Sequence, residues 1–144
     1  MAIDNFSGEF EFLSNFYVDN GKPTVEHLYQ AAKTNDTGWK QSIINAETPG
    51  RAKRLGRKAP IRSDWEESKV QIMFDLVREK FKDPILKTKL IDTFPTELIE
   101  GNKWHDNFWG KCSCMKCRGT KQLNMLGFIL NQVRAELLEK LFKQ

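Results

Sequence analysis

Two carboxylates and a group of tryptophans give this chain its chemical character. In Trp104-His105-Asp106-Asn107-Phe108-Trp109-Gly110, one carboxylate sits between two indoles, with an imidazole beside it and a glycine at the end. Such rings are costly to leave on a loop unless they pack, and a carboxylate among them is costly to bury uncompensated. Two readings are open. One is a packing turn whose aspartate caps a helix or accepts backbone N–H bonds. The other is a carboxylate in an aromatic-walled pocket that acts on a flat, ring-bearing ligand.

The second carboxylate, Glu26, follows Pro23-Thr24 in what reads as the first turn of a helix, where the positive end of the dipole favours an anion. It is therefore expected to work as a base or anionic stabiliser rather than as a proton donor. His27 beside it reads as a surface or supporting histidine. Trp65 stands at another helix start, suited equally to plugging a core or walling a pocket. Two carboxylates with an aromatic wall are what glycosidic bond cleavage requires: one stabilises the anomeric centre or orients water, the other manages protons, and the leaving base stacks on an indole. No P-loop, dinucleotide fingerprint, metalloprotease motif or G-x-S-x-G elbow is present, and two histidines leave little room for a histidine-based triad.

Cys112-x-Cys114-x-x-Cys117 is the remaining cluster. Three thiols so close could supply three zinc ligands, with His105 or His27 as the fourth. The spacing lacks paired C-x-x-C units, so a loop of reduced thiols is the preferred expectation, with no metal and no cofactor. An odd number of cysteines in one window is also a poor disulfide framework.

The totals agree with a soluble globular protein of one domain, residues 1–144. Hydrophobic residues at 40% and charged residues at 29% are globular proportions. No stretch has the length of a membrane span and the N-terminus lacks a secretory pattern, so a cytoplasmic location is expected. A net charge of +4 suits an anionic ligand but argues weakly for nucleic-acid binding. The most basic window, Arg51-Ala52-Lys53-Arg54-Leu55 with Arg57 and Lys58, reads as a solvated helix face or a phosphate-binding patch.

The elements that must position these groups are mostly helices. Glu9-Phe10-Glu11-Phe12-Leu13 alternates like a short strand, and Ser14-Asn15 reads as a turn. A helix from Thr24 is expected to bury Val25, Leu28 and Ala32, with Glu26, Gln30 and Lys33 on a neighbouring polar stripe. Further helices are expected over 38–46, with Trp39, Ile43 and Ala46 inward, and from Thr48-Pro49 to a stop at Gly56. Ser63-Asp64-Trp65-Glu66 has capping-box spacing ahead of a long helix to about Phe81, with Val70, Met73, Val77 and Phe81 inward. Asp83-Pro84 restarts a helix to about Ile91, Glu97-Leu98-Ile99-Glu100 reads as extended, and Asn124 as the N-cap of a last helix. Leu126, Leu130, Val133, Leu137 and Leu141 form that helix's seam, and Gly127 marks a close backbone approach. This is a mainly α, multihelical domain with a few short strand segments.

Read together, Phe12-Leu13-Ser14-Asn15-Phe16 and Thr24-Val25-Glu26-His27-Leu28-Tyr29-Gln30-Ala31-Ala32-Lys33 closely resemble blocks of the NADAR, or YbiA-like, family. Ala52-Lys53-Arg54-Leu55-Gly56-Arg57, Asp64-Trp65-Glu66, Lys80-Phe81, Leu98-Ile99-Glu100, Asp106-x-x-Trp109-Gly110 and Asn124-x-Leu126-Gly127 follow in the family's order. The resemblance implies a mostly helical domain and a metal-independent N-glycosidase acting on ribosides. The substrates it implies are phosphoribosylamino-pyrimidines of early riboflavin synthesis, or ADP-ribosylated guanine in DNA or RNA. It also implies Glu26, Asp106, Trp65 and Trp109 as the residues of activity and Ser14, Asn15 and Lys33 as pocket lining. The Cys112 to Cys117 segment departs from the bacterial YbiA type. On this basis Asp106 is expected to protonate the departing base and Glu26 to stabilise the sugar cation or orient water, although the two roles are interchangeable at this level. Trp65 and Trp109 would sandwich base or ribose, while Lys33 with Lys53, Arg54 and Arg57 would bind phosphate. The rival reading is a module that binds ADP-ribose or a nucleotide without cleaving it.

Overall fold

A computed structural model describes residues 1–143. The fold is mainly helical, and the chain divides into two compact units: Asn15–Leu76, and Met1–Ser14 together with Val77–Gln144.

Three short helices lie in the Asn15–Leu76 unit: α1 (Val25–Ala32), α2 (Thr37–Ile44) and α3 (Pro49–Lys58). Each begins on a side-chain cap that satisfies an otherwise orphaned N–H group. Thr24 Oγ1 accepts from His27 N, Asp36 from Trp39 N, and Thr48 from Arg51 N, with Pro49 at the first helical position. The α1 cap is a capping box in which His27 takes the place usually held by Glu or Gln. Its Nδ1 lies 3.2 Å from Thr24 N, and its Nε2 lies 2.9 Å from the Ala46 carbonyl oxygen just past α2. His27 is thus buried and structural rather than on the surface.

The helices pack through small residues. Ala31, Ile43, Ala52 and Ala59 form a core with Trp39, Ile44, Ala46 and Leu55 packed against it. Fully burying a side chain such as Ile43 contributes about 2–3 kcal/mol. Helix α3 runs on through Gly56 to Lys58, so Gly56 is not the expected stop. A Cβ there would collide with the Gln30 side chain, so the glycine serves a close approach of α3 to α1.

Helix α4 (Trp65–Lys80) gives its first part to this unit and its last turn to the other. The residue ahead of it is Asp64 rather than Ser63: the Asp64 carbonyl accepts from Ser68 N, and its carboxylate pairs with Arg62 at 2.6 Å. Met73, Val77 and Phe81 are buried as expected, while Val70 is half-buried.

In the other unit, the run expected as a strand is a 3-10 helix, Gly8–Leu13. Gly8 sits at φ +59°, which turns the chain, and adjacent Phe12 and Leu13 are buried rather than alternate residues. Phe12 meets Phe81 edge-on with ring centroids 6.5 Å apart. Short parallel pairs join β1 (Ala2–Ile3) to β2 (Glu97–Leu98) and β3 (Gly101–Asn102) to β4 (Lys111–Cys112). Helix α5 (Pro84–Asp92) starts on an Asp83 cap and packs on α6 (Met125–Phe142). The seam of α6 is buried at Leu126, Leu130 and Val133 and emerges at Leu141. Gly127 is where expected, since a Cβ there would strike the Leu98 carbonyl and the Asn124 side chain. Among the described residues, no helix is long and apolar enough to cross a membrane.

Candidate active site

Glu26 is a buried carboxylate with 7% exposure. Its backbone N–H donates to the Asn15 carbonyl at 3.1 Å, and Gln30 Nε2, one helical turn on, donates to its Oε2 at 2.5 Å. The expected division of α1 into an apolar stripe and a polar one holds only in part: Val25 is buried as expected, but so are Glu26, His27, Tyr29 and Gln30, while Leu28 and Ala32 are only half-buried. Polar groups can occupy the inside because they are bonded there. Gln30 Oε1 is the exception, buried against Gly56 without a hydrogen-bond partner.

Lys33, three residues beyond Gln30, feels this carboxylate and several cations. Burial, first of all, lowers Lys33 below the ordinary lysine range; Glu26 acts against that, and Arg57, Lys53 and Lys69 add to the lowering. Lys53 and Arg57 lie four residues apart on one face of α3. Arg54 lies off that face, is exposed, and is not among the charges acting on Lys33. Lys69, which no sequence pattern singles out, comes from α4 and is ion-paired with Glu66 at 2.8 Å. Lys33 is thus grouped with the cations Lys53, Arg57 and Lys69, and Glu26 is the carboxylate that acts against them.

Trp65 belongs to the same unit. It is only 6% exposed and tilts against buried Tyr29, with ring centroids 5.1 Å apart. Asn15 turns its side-chain amide toward Met73 Sδ at 3.5 Å. Phe16, beside it, lies under the Lys53 ammonium at 5.9 Å.

Ser14, Asp106 and Trp109 lie in the other unit. The Ser14 carbonyl accepts from Lys80 Nζ at 2.8 Å. Burial brings Lys80 down to about 7, so this lysine exchanges its proton near neutrality. Its place beside Phe81 at the end of an apolar seam gives no warning of that.

The 104–110 turn is built on two side chains. Asp106 Oδ1 accepts from Phe108 N at 3.1 Å and Trp109 N at 2.9 Å. Asn102 Oδ1 accepts from Trp104 N and Asp106 N, and its Nδ2 donates to the Asp106 carbonyl at 2.9 Å. Gly110 is obligatory, because a Cβ there would run into Glu100. Trp109 is half-buried, edge-on to Phe108, while Trp104 is 61% exposed.

The carbonyls of Phe108 and Trp109 accept from Met125 N and Leu126 N, so the turn's backbone caps α6. Asn124 does not act as the expected side-chain cap. It sits in the left-handed region and spends its amide on Glu100 N and the Leu98 carbonyl.

A cavity of about 920 Å³ lies along Met1, Phe10, Lys89 and Thr96, and its lining includes none of these groups. A second, about 650 Å³, is lined by Trp104, Lys111 and Cys112.

Comparison with known proteins places the chain. It is 34% identical to the N-glycosidase YbiA of Shigella flexneri serotype 5b, over 94% of this chain and 89% of that protein. It is 38% identical to a riboflavin biosynthesis protein of Vibrio vulnificus, over 89% of this chain and 36% of the relative. The NMR structure of E. coli YbiA superposes with a TM-score of 0.83 at 32% identity, covering 99% of this chain and 89% of that one. The NADAR domain profile matches residues 5–138, and the chain belongs to the NADAR domain family.

Proposed function

We propose that this protein is an N-glycosidase that hydrolyses the bond between ribose and a base in a phosphorylated riboside. The observation that carries the proposal is the buried Glu26 carboxylate beside half-buried Lys33, which Lys53, Arg57 and Lys69 also influence. A carboxylate stabilises the positive, oxocarbenium-like sugar of such a transition state or orients the attacking water. The cations grouped with Lys33 match a phosphate carried by the substrate. Gln30 holds Glu26 in place through its amide. Asp106 has Oδ1 committed to the turn, which leaves Oδ2 as the atom to manage the proton of the departing base. Trp109, half-buried, provides a ring for stacking, whereas Trp65 supports Tyr29 from within the core. Relatives named for riboflavin biosynthesis favour phosphoribosylamino-pyrimidines as the substrate; ADP-ribosylated guanine presents the same ribose–base bond and an adjoining phosphate.

The test is incubation with each substrate followed by mass analysis for free base and ribose product. Saturable binding with no product from either would replace the enzyme by a binding module. Glu26→Gln keeps a hydrogen-bonding side chain but removes the charge, and is expected to cost about 100-fold or more in kcat, the scale of a lost transition-state stabiliser. Asp106→Asn retains a side-chain oxygen for the turn. A loss of kcat in a folded Asp106→Asn protein assigns the carboxylate to chemistry, and full activity reduces it to a turn-former.

A further inference from the structure

We propose that His105, Cys112, Cys114 and Cys117 bind one zinc ion. The proposal is independent of the glycosidase reading, and it reverses the expectation of a loop of plain reduced thiols.

The four side chains converge, with their ligand atoms all within 4.8 Å of one another. His105 Nδ1 lies 3.3 Å from Cys114 Sγ, 3.4 Å from Cys117 Sγ and 4.0 Å from Cys112 Sγ. A tetrahedral zinc with its usual bond lengths requires about 3.6 Å between nitrogen and sulfur and about 3.8 Å between sulfurs, so small adjustments close the shell. The three cysteines are free of disulfides. His27, the other candidate fourth ligand, is excluded, because both its ring nitrogens are engaged by Thr24 and the Ala46 carbonyl.

The surroundings suit thiolates. Cys114 N lies 3.5 Å from Cys112 Sγ as a donor, and Asn107 Nδ2 donates toward Cys117 Sγ at 3.4 Å. Such N–H groups aimed at sulfur steady a charged ligand, the usual work of groups just outside a metal's own shell. His105 adopts φ +69°, a left-handed conformation that a non-glycine residue holds only when its surroundings fix it, and a metal bond would do so. Exposed Lys111, Lys116, Arg118 and Lys121 offset the net negative charge of three thiolates around a dication.

Binding releases the three thiol protons to solvent and forms three Zn–S bonds and one Zn–N bond. Four protein ligands leave no open position, so the ion is structural. It ties the segment from β4 through Cys117 to the residue preceding Asp106.

The experiment uses the full chain, reduced, stripped of metal and titrated with Zn²⁺ and separately with Co²⁺. One equivalent of zinc per chain is expected, with a thiolate-to-cobalt charge-transfer band and tetrahedral visible bands that zinc abolishes. Cys117→Ser should remove about a third of that band. His105→Ala, at an exposed position where folding is least at risk, should keep the band but weaken affinity at least tenfold. Asn107→Ala should weaken it about ten- to a hundredfold, as for other supporting groups. Binding of under a tenth of an equivalent, cobalt without charge transfer, or recovery of iron with sulfide overturns the assignment. Unchanged affinity in His105→Ala overturns the fourth ligand.

Discussion

Replacing Gly56 by alanine tests how α3 and α1 jointly hold the Glu26 carboxylate. In a helix interior, Gly→Ala ordinarily stabilises by up to about 1 kcal/mol. At Gly56 the added Cβ would overlap Gln30 Oε1 and Cδ and press on Gln30 Cβ. The amide end can swing, but the Cβ is fixed to α1, and Gln30 is only 4% exposed. Overpacking of this kind costs about 1–3 kcal/mol. Swinging the amide away also forfeits a hydrogen bond to a carboxylate worth about 1.5–3 kcal/mol. The net expectation is a destabilisation of about 1.5–5 kcal/mol, with turnover reduced because Glu26 loses its holder. Gly50→Ala in the same helix is the control: its nearest neighbours would be Arg54 Nη1 and Thr48 Oγ1 at 3.9 Å, so it should be neutral or slightly stabilising. Urea midpoints at constant m-value, with turnover measured in parallel, decide the matter. A Gly56→Ala protein as stable as Gly50→Ala and fully active would refute the reasoning.

Three further outcomes follow from titration and packing. Lys80 has a folded pKa of about 7 against an ordinary value of 10.5, so between these the unfolded chain binds a proton that the folded chain does not. Stability contributed by this group is fully present above the unfolded pKa and is lost as pH falls through about 7, by at most ~1.4 kcal/mol per pH unit. Urea midpoints across this range should rise with pH in the parent and flatten in Lys80→Met; equal slopes would count against it. Arg134 is buried and donates to Thr93 Oγ1, the Thr96 carbonyl and Asn131 Oδ1. Arg134→Met should cost about 2–4 kcal/mol in urea unfolding by stranding these acceptors, and Arg134→Lys should recover only part, since an ammonium lacks the fork. Thr24→Ala removes the oxygen that caps α1 and should cost about 1 kcal/mol, again read as a urea midpoint shift.

The helices are legible because their punctuation is local. Thr24, Asp36, Thr48-Pro49 and Asp83-Pro84 carry cap chemistry within a few residues, and the α6 seam repeats long enough to show its face. Helix α2 begins one residue ahead of the expected Gly38 because Asp36 is its cap. Misreadings arise where distant partners decide. The inward side of α1 carries Glu26, His27 and Gln30, whose burial depends on Asn15, Ala46 and Gly56, so periodicity points to Leu28 and Ala32 instead. Glu9 to Leu13 is too short for alternation to outweigh the turn at Gly8. Asn124 looks like a cap, yet its amide serves two backbone groups from residues 98 and 100. Spacing locates the three cysteines, but the approach of His105 to them depends on a backbone turn that spacing cannot encode. Glu26, Lys53 and Arg57 are legible in the sequence as candidates. The contribution of Lys69 is not, because it reaches the group from a separate helix, α4.

The junction of the 104–110 turn with α6 also sets how the turn can move. The Leu123, Met125 and Leu126 amides are closed by the carbonyls of Asn107, Phe108 and Trp109. An excursion of the turn must therefore expose these amides, and their deuterium uptake becomes a built-in recorder of its opening. Asp106 is bonded to the amides of Phe108 and Trp109, so an opening of the turn carries the carboxylate with it. The rate at which three unmodified amides exchange then bounds how often the turn opens, with no substrate or probe required.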